Sequence, residues 1–286
     1  MWRFLNTGFR DGAWNMAVDE ALWRGVQEGK SPPTLRFYAW APATLSIGYA
    51  QPFERDIDLR ALERLGIPWV RRPTGGRAVL HDRELTYSAV FPADVSERAP
   101  REAGGGGPPI LRDYAFVSRG LVSGLRNLGV PAELAPAAER SSRGQGPGDR
   151  TGACFSSTSA YEVTVRGRKI AGSAQRRGGG GVLQHGSVPL DLDVERLASL
   201  FKVRNPGGQA RLAAGLRKKM TCMKEALGGR EVSYEEACAA FAAGFREAFG
   251  KLIPGELTPE EREAAEALVR ENREKRGRRS AALTDG

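Results

Sequence analysis

Two stretches of the chain space their apolar residues three and four positions apart, the pattern of a helix with one buried face. The first follows Asp11, a residue suited to cap a helix, and its apolar positions are Trp14, Val18, Ala21, Leu22 and Val26. The second runs from Leu111 to Leu128 and is followed by Gly129 and Pro131, which commonly stand just beyond the end of a helix. Both segments are predicted as helices that pack on one face.

Segments rich in β-branched and aromatic residues predict strands around these helices. We expect an edge strand over 2–7, strands at LRFYAW, ATLSIGY, 69–72, 77–80 and 85–91, and a short helix, DLRALERLG, that ends at Gly66. Further along, YEVTV predicts a strand, Arg166-Gly167 a tight turn, KIAGSAQRR its returning partner and VLQHGSVPLDLD another strand. The remainder, 194–281, is predicted as helical.

Length and composition agree with a globular protein. A chain of 286 residues with 41% hydrophobic and 27% charged residues fits one or two domains around a large core. It shows neither a typical leader at its start nor 18 consecutive apolar residues, so we expect a soluble protein of the cytoplasm. Two glycine-rich segments, 99–109 and 137–152, are predicted as loops.

The charge suggests a partner without identifying it. The net charge is +9, and the segment from Arg270 to Arg279 contributes six basic and two acidic residues. Such an excess favours an acidic partner, either a nucleic acid or an acidic protein, although a solvated helix end explains it equally well.

Candidate catalytic groups are few. The chain lacks the GxxxxGKS or GxxxxGKT phosphate loop, and its three cysteines and two histidines are too scattered to predict a zinc site. Cys222 and Cys238 lie in helical patterns and are expected to be packing residues. Cys154 follows a polar loop, and Lys169 lies on the predicted hairpin 15 residues later, where spacing alone does not prove contact.

Four segments together resemble one known superfamily: RRPTGGRAVLHDRELTYSAV, the CF pair at Cys154, YEVTVRGRKIAGSAQRR and LQHGSVPLDLD. They are similar to the motifs of the lipoate protein ligases and octanoyltransferases over roughly residues 1–250. A cysteine just upstream of GRKIAGSAQRR resembles the cysteine-dependent, LipM-type octanoyltransferases of the biotin/lipoyl-ligase superfamily. The Arg/Gly loop before Cys154 and the terminal basic tail are outside the pattern.

The resemblance implies an α+β fold, with a mixed, largely antiparallel sheet flanked by helices and a helical C-terminal part. It implies a catalytic domain over 1–250, including helices from about 194, and a helical extension with a basic tail over 251–286. Cys154 would be the nucleophile and Lys169 its companion. The acyl group would be bound by residues of two motifs, namely Arg72, Gly75, Gly76, Arg77, His81, Gly172, Ser173, Ala174 and Gln175.

The implied reaction moves octanoyl from acyl carrier protein, through a Cys154 thioester, to a lysine of a lipoyl domain in lipoate biosynthesis. The acceptor would be a lipoyl-domain protein such as the glycine cleavage H protein or a 2-oxoacid dehydrogenase E2. A thioester is already an activated acyl donor, so we expect no ATP, cofactor or metal.

Three alternatives remain at this point. An ATP-dependent lipoate protein ligase would share Lys169 and the glycine pair, but Cys154 argues against it. An amidotransferase between lipoyl-domain proteins would use a similar cysteine. A nucleic-acid-binding module would use the positive charge, although the basic tail lacks the aromatic residues typical of such proteins.

Overall fold

The computed structural model describes residues 1–98, 108–135, 162–203 and 205–284, and only the backbone of 275–284. Its first part contains β1 (Trp2–Arg10), α1 (Gly12–Gln27), β2 (Thr34–Trp40), β3 (Thr44–Ile47), α2 (Phe53–Asp56), α3 (Leu59–Arg64), β4 (Trp69–Arg71), β5 (Val79–His81), β6 (Glu84–Pro92) and α4 (Ala93–Glu97). Asp11 caps α1 as predicted, since its carboxylate accepts a 3.0 Å hydrogen bond from the backbone N–H of Trp14.

The second part continues with α5 (Pro109–Asn127), β7 (Ala132–Leu134), β8 (Val163–Val165), β9 (Arg168–Lys169), β10 (Gly172–Gly178), β11 (Gly181–Pro189), α6 (Val194–Ser199), α7 (Gly208–Lys219), α8 (Met223–Ala226), α9 (Tyr234–Phe249), β12 (Leu252–Pro254) and α10 (Pro259–Thr284). The predicted turn at Arg166-Gly167 is confirmed, because both residues have positive φ, 50° and 75°, as the tight hairpin turn requires.

A six-stranded sheet organises the fold, with the strand order β10-β11-β6-β2-β1-β12. The first four strands in this order pair antiparallel, whereas β1 is parallel to both β2 and β12. Two three-stranded sheets, β4-β3-β5 and β7-β8-β9, accompany it. The predicted fold class, a mixed and largely antiparallel sheet flanked by helices, is confirmed.

The two faces of this sheet have different chemistry. Leu35, Phe37 and Ala39 of β2 belong to the large apolar core beneath α5 and α9. The alternating residues Arg36 and Tyr38 point to the opposite face, where they bond to α1. That second face combines an apolar cluster from α1 and α10 with the polar groups of the site.

Helices α5 and α9 cross at glycines. A Cβ added at Gly244 would lie 2.2 Å from the backbone nitrogen of Gly124 and 2.7 Å from the oxygen of Gly120. At Gly120 an added Cβ would lie 2.3 Å from the ring of Phe245. Only glycine permits so close an approach of the two backbones.

Three sequence predictions are wrong in detail. β1 is not an edge strand, because the short strand β12 pairs with its outer side. β12 also interrupts the region predicted as entirely helical. The returning segment KIAGSAQRR pairs with β8 only at its start, through Lys169 and the backbone N–H of Ile170, which donates to Val163 at 3.0 Å. From Gly172 onwards it joins the six-stranded sheet beside β11.

The division at residue 250 stays a prediction. β12 adds to the main sheet, and Ala265 and Leu268 of α10 are buried in the cluster that includes α1. Glu261 of α10 also pairs with Arg3 of β1 at 2.7 Å.

Candidate active site

An open cavity lies on the α1 side of the sheet, with an empty volume of about 350 Å³ that includes solvent at its mouth. The described residues that line it come from α1, four strands of the main sheet and the small β4-β3-β5 sheet with its connection. They are Met16, Tyr38, Trp40, Ser46, Arg72, Val79, His81, Thr86, Gly172, Ser173, Ala174, His185, Gly186 and Ser187.

The structure brings together five of the nine predicted acyl-binding residues, drawn from two distant motifs. Arg72 and His81 line the cavity from one segment, and Gly172, Ser173 and Ala174 line it from β10. The other four are outside the described lining: Gly75, Gly76, Arg77 and Gln175. The side chain of Gln175 instead donates a 2.8 Å hydrogen bond to Asp113 of α5.

The glycine pair, Gly75 and Gly76, lies in the turn after β4. The guanidinium of Arg72 donates to the backbone oxygens of Gly75, at 2.8 and 3.1 Å, and Arg77, at 2.7 Å. Gly76 has a φ of 91°, which side-chain-bearing residues rarely adopt. In the described structure these residues shape the turn beside the cavity, and Arg72 links that turn to the lining.

Lys169 forms a buried ion pair. Its Nζ lies 2.6 Å from Oε1 of Glu162, and both side chains are more than 90% buried. The hairpin of β8 and β9 positions the two groups, because Glu162 directly precedes β8 and Lys169 ends β9. Lys169 also stands three residues before Gly172, the first cavity residue of β10.

Cys154 lies outside the described residues, so its relation to Lys169 stays a prediction. The other two cysteines are buried thiols. Burial raises the pKa of Cys222, and it raises the pKa of Cys238 to about 11. A raised pKa lowers the population of the nucleophilic thiolate, as expected for packing residues.

A buried polar network connects α1 to the cavity. Asp19 accepts from Arg36 at 2.7 Å, from Tyr38 at 2.8 Å and from Nδ1 of His185 at 2.9 Å. Because an ionised carboxylate only accepts hydrogen bonds, we assign the His185 proton to Nδ1, leaving Nε2 to accept from Thr74 at 2.6 Å. The network fixes the ring of Tyr38 in the cavity wall.

The pKa values of this network follow from its burial and charges. Burial by itself raises the pKa of Asp19, but the hydrogen bond from His185 and the charge of Arg36 outweigh it, and the pKa lies below its usual value. Burial lowers the pKa of His185, against the opposing hydrogen bond and charge of Asp19. Burial also raises the pKa of Tyr38 well above its usual value, with help from Asp19.

A second network holds the neighbouring histidine. Nδ1 of His81 lies 2.6 Å from Glu84, and Nε2 lies 2.7 Å from the hydroxyl of Ser46. The ring stacks on Trp40 with 4.0 Å between centroids, and the indole N–H of Trp40 donates to Thr86 at 2.7 Å. Hydrogen bonds therefore fix the rings of Trp40 and His81 in the wall of the cavity.

The sequence analysis did not predict nine of the lining residues: Met16, Tyr38, Trp40, Ser46, Val79, Thr86, His185, Gly186 and Ser187. It also missed Glu162 and Asp19. Asp19 could have been recognised from the sequence, because a carboxylate on the apolar stripe of α1 requires a buried partner. Arg36, a cation within the apolar strand LRFYAW, could have been recognised as that partner.

The described residues show neither a metal-binding cluster nor a membrane-spanning helix. They contain no group of three or more His, Cys, Asp or Glu side chains arranged to hold a metal ion. Within the same residues, no helix has the length and apolar character needed to cross a membrane.

Comparison with known proteins assigns the family. The family described as the lipoyl protein ligase A/B catalytic domain matches residues 11–246. The chain belongs to this family. It is 46% identical over 271 residues to octanoyltransferase LipM of Geobacillus kaustophilus, covering 94% of each chain. It is 41% identical over 261 residues to octanoyltransferase LipM of Bacillus subtilis, covering 91% of each.

Solved structures of the family share the fold. A bi-partite lipoate protein ligase from Thermoplasma acidophilum, described with its E2 lipoyl domain, has a TM-score of 0.72 and 25% identity, with 93% of this chain and 91% of that chain covered. A lipoate-protein ligase A bound with ATP has a TM-score of 0.70 and 25% identity, with 93% of each covered. The resemblance to octanoyltransferases and the expectation of an acyltransferase are confirmed by the curated relatives.

Proposed function

We propose that this protein takes an octanoyl group from acyl carrier protein onto Cys154 and passes it to a lysine of a lipoyl domain, as a step in lipoate biosynthesis. The proposal rests on one observation: both motifs line the same cavity, with Arg72 and His81 from one and Gly172 to Ala174 from the other. Relatives named octanoyltransferase, 46% identical over nearly the whole chain, support the acyl group assigned to it.

The first half of the proposed reaction exchanges one thioester for another. The Cys154 thiolate attacks the carbonyl carbon of the octanoyl thioester, a new C–S bond forms, and the carrier's thiolate leaves with the electron pair of the bond that breaks. Because the acyl group stays at the same oxidation level and the same bond type, the step needs no ATP.

The second half releases the enzyme. The neutral amine of a substrate lysine attacks the thioester, an amide bond forms, the Cys154 thiolate leaves, and the amine loses a proton. Amide formation from a thioester is downhill, and it drives the sequence forward. The ammonium of Lys169 would stabilise the thiolate or the charge that develops on the carbonyl oxygen.

The two protein partners are the finer part of the proposal. Acyl carrier proteins are typically acidic, which suits an enzyme of net charge +9. A lipoyl domain as acceptor is supported by the T. acidophilum relative described together with its E2 lipoyl domain. The cytoplasmic location stays a prediction.

Intact mass spectrometry tests the proposal directly. The protein is incubated with octanoyl-acyl carrier protein without ATP, and one octanoyl group should appear on wild type but not on Cys154→Ala. Cys222→Ala and Cys238→Ala are matched controls that should still acquire it. If a lipoyl domain is octanoylated only when ATP and free octanoate are supplied, and Cys154→Ala still catalyses this, the protein is a ligase and the proposal is wrong.

A further inference from the structure

The lining residues of the cavity differ in burial. Ser173, Ala174 and Gly186 are the half-buried members, and they lie together where β10 pairs with β11. The other described lining residues are buried, among them Tyr38 at 0% and Met16 at 5% exposure. The described lining is therefore most exposed beside β10 and β11, and it is buried on the side of α1.

Met16 lines the buried side of the cavity from α1, a helix that is held in place. Its neighbour Asn15 donates to the backbone of Ala39 at 3.0 Å, and Asp19, one turn further along, pairs with Arg36. α1 therefore cannot easily shift to change the depth of the cavity. Met16 packs with Tyr38, Trp40 and Val70 in a small apolar cluster separate from the larger cores.

Two aromatic side chains that pack with Met16 are fixed by hydrogen bonds. Tyr38 donates to Asp19, and Trp40 donates to Thr86 while it stacks on His81. Met16 is an unbranched apolar side chain whose end carries only a thioether, and Val79 is the other buried aliphatic side chain of the described lining.

We propose that Met16 is the floor of the acyl site and sets the longest acyl chain that the enzyme accepts. The proposal rests on the proposed function, because it takes this cavity as the acyl site. A chain longer than octanoyl would have to displace a buried side chain on a fixed helix, whereas octanoyl would end against it. Apolar pockets discriminate one methylene group by about tenfold or more, which is enough to define a chain-length limit.

The experiment measures loading of Cys154 from a series of hexanoyl, octanoyl, decanoyl and dodecanoyl carrier proteins. Met16→Ala removes the end of the floor and should raise the ratio of decanoyl to octanoyl kcat/KM by at least about tenfold. Met16→Phe should act in the opposite direction and lower the ratio of octanoyl to hexanoyl kcat/KM by a similar factor. Opposite shifts from one position would not result from a general loss of stability.

Met223→Ala is the matched control. Met223 is also fully buried, but it lies in α8 within the core on the other face of the sheet, outside the described lining. This variant should lose thermal stability and keep the wild-type chain-length ratios. If Met16→Ala does not fold, Met16→Val shortens the side chain with a smaller change in volume and is compared with Met16→Phe instead.

The experiment distinguishes failure of the Met16 proposal from failure of the proposed function. If wild type loads octanoyl while Met16→Ala and Met16→Phe both leave the ratios within about twofold, Met16 is not the floor and the proposed function stands. If wild type loads no acyl group, the proposed function fails. Calorimetric binding of octanoate and decanoate to the same variants then decides whether Met16 limits the cavity.

Discussion

Replacing Lys169 by methionine should both destabilise the fold and stop acyl loading. A second substitution, at its ion-pair partner Glu162, separates the two effects. Lys169→Met keeps an unbranched side chain of similar length but removes the ammonium group. The carboxylate of Glu162, more than 90% buried and 2.6 Å from Nζ in the native structure, would lose that charge partner. Loss of that cation removes part of what compensates the buried carboxylate for its lost hydration, which is costly.

The expected magnitude follows from this burial. Removing one member of a buried ion pair typically costs about 3–5 kcal/mol, because the remaining charge is left uncompensated. Replacing both members by neutral groups of similar shape costs much less. We therefore expect the double variant Lys169→Met with Glu162→Gln to recover at least about 2 kcal/mol of the loss.

Urea unfolding followed by circular dichroism measures these free energies, and intact mass measures loading of Cys154. The single variant should be destabilised and inactive. The double variant should be folded near its wild-type stability and still inactive, because the ammonium that would assist the thiolate is absent from both.

Two results would refute the reasoning. A loss below about 1 kcal/mol in Lys169→Met would show that the ion pair contributes little to the fold. Normal loading by the folded double variant would show that Lys169 acts only through stability and has no part in the chemistry.

Three further outcomes are expected. Because burial lowers the pKa of His185, the unfolded chain binds a proton below about pH 6.5 that the folded chain excludes. The free energy of unfolding should therefore be level above this pH and fall by up to about 1.4 kcal/mol per unit below it, as urea titrations from pH 5 to 8 would show. Gly244→Ala should cost about 1–3 kcal/mol or more, measured by the same unfolding, because the added methyl overlaps the backbone of α5. The kcat/KM for octanoyl-acyl carrier protein should fall as salt rises to about 0.5 M, while a small uncharged octanoyl thioester responds less.

Each outcome has a control or a contrary result. His185→Asn should abolish the slope below pH 6.5 and keep a donor for Asp19. A slope that persists in this variant belongs to another group. Gly215→Ala in α7 places its methyl in open space and should stabilise the chain by about 1 kcal/mol at most. Salt-independent transfer from the carrier protein would exclude electrostatic docking.

Local patterns predicted much of the fold. The three- and four-residue spacing located α1 and α5, and the Arg166-Gly167 turn located the hairpin that carries Lys169. These features depend on residues close together in sequence. β12 could not be predicted in this way, because three residues carry little periodicity and their partner strand is at the opposite end of the chain.

The site was predicted where a motif carried its own residues and missed where a partner came from elsewhere. Arg72 and His81 lie in one recognisable segment, and both line the cavity. The partners Asp19 and Thr74 of His185 come from α1 and from the turn after β4, so only the folded chain brings them together. The glycine pair lies in the turn beside the cavity, and its predicted part in binding the acyl group stays a prediction.

The pairing of β1 with β12 affects how the chain folds during its synthesis. The ribosome completes β1 long before β12, the strand that covers its outer side, and Arg3 is 258 residues from its partner Glu261. During that time β1 has an unpaired edge, which is a template for association with other chains. Contacts of such long sequence separation also form slowly. A nascent or truncated chain that stops before Leu252 should therefore be the form most prone to aggregation and most dependent on chaperones.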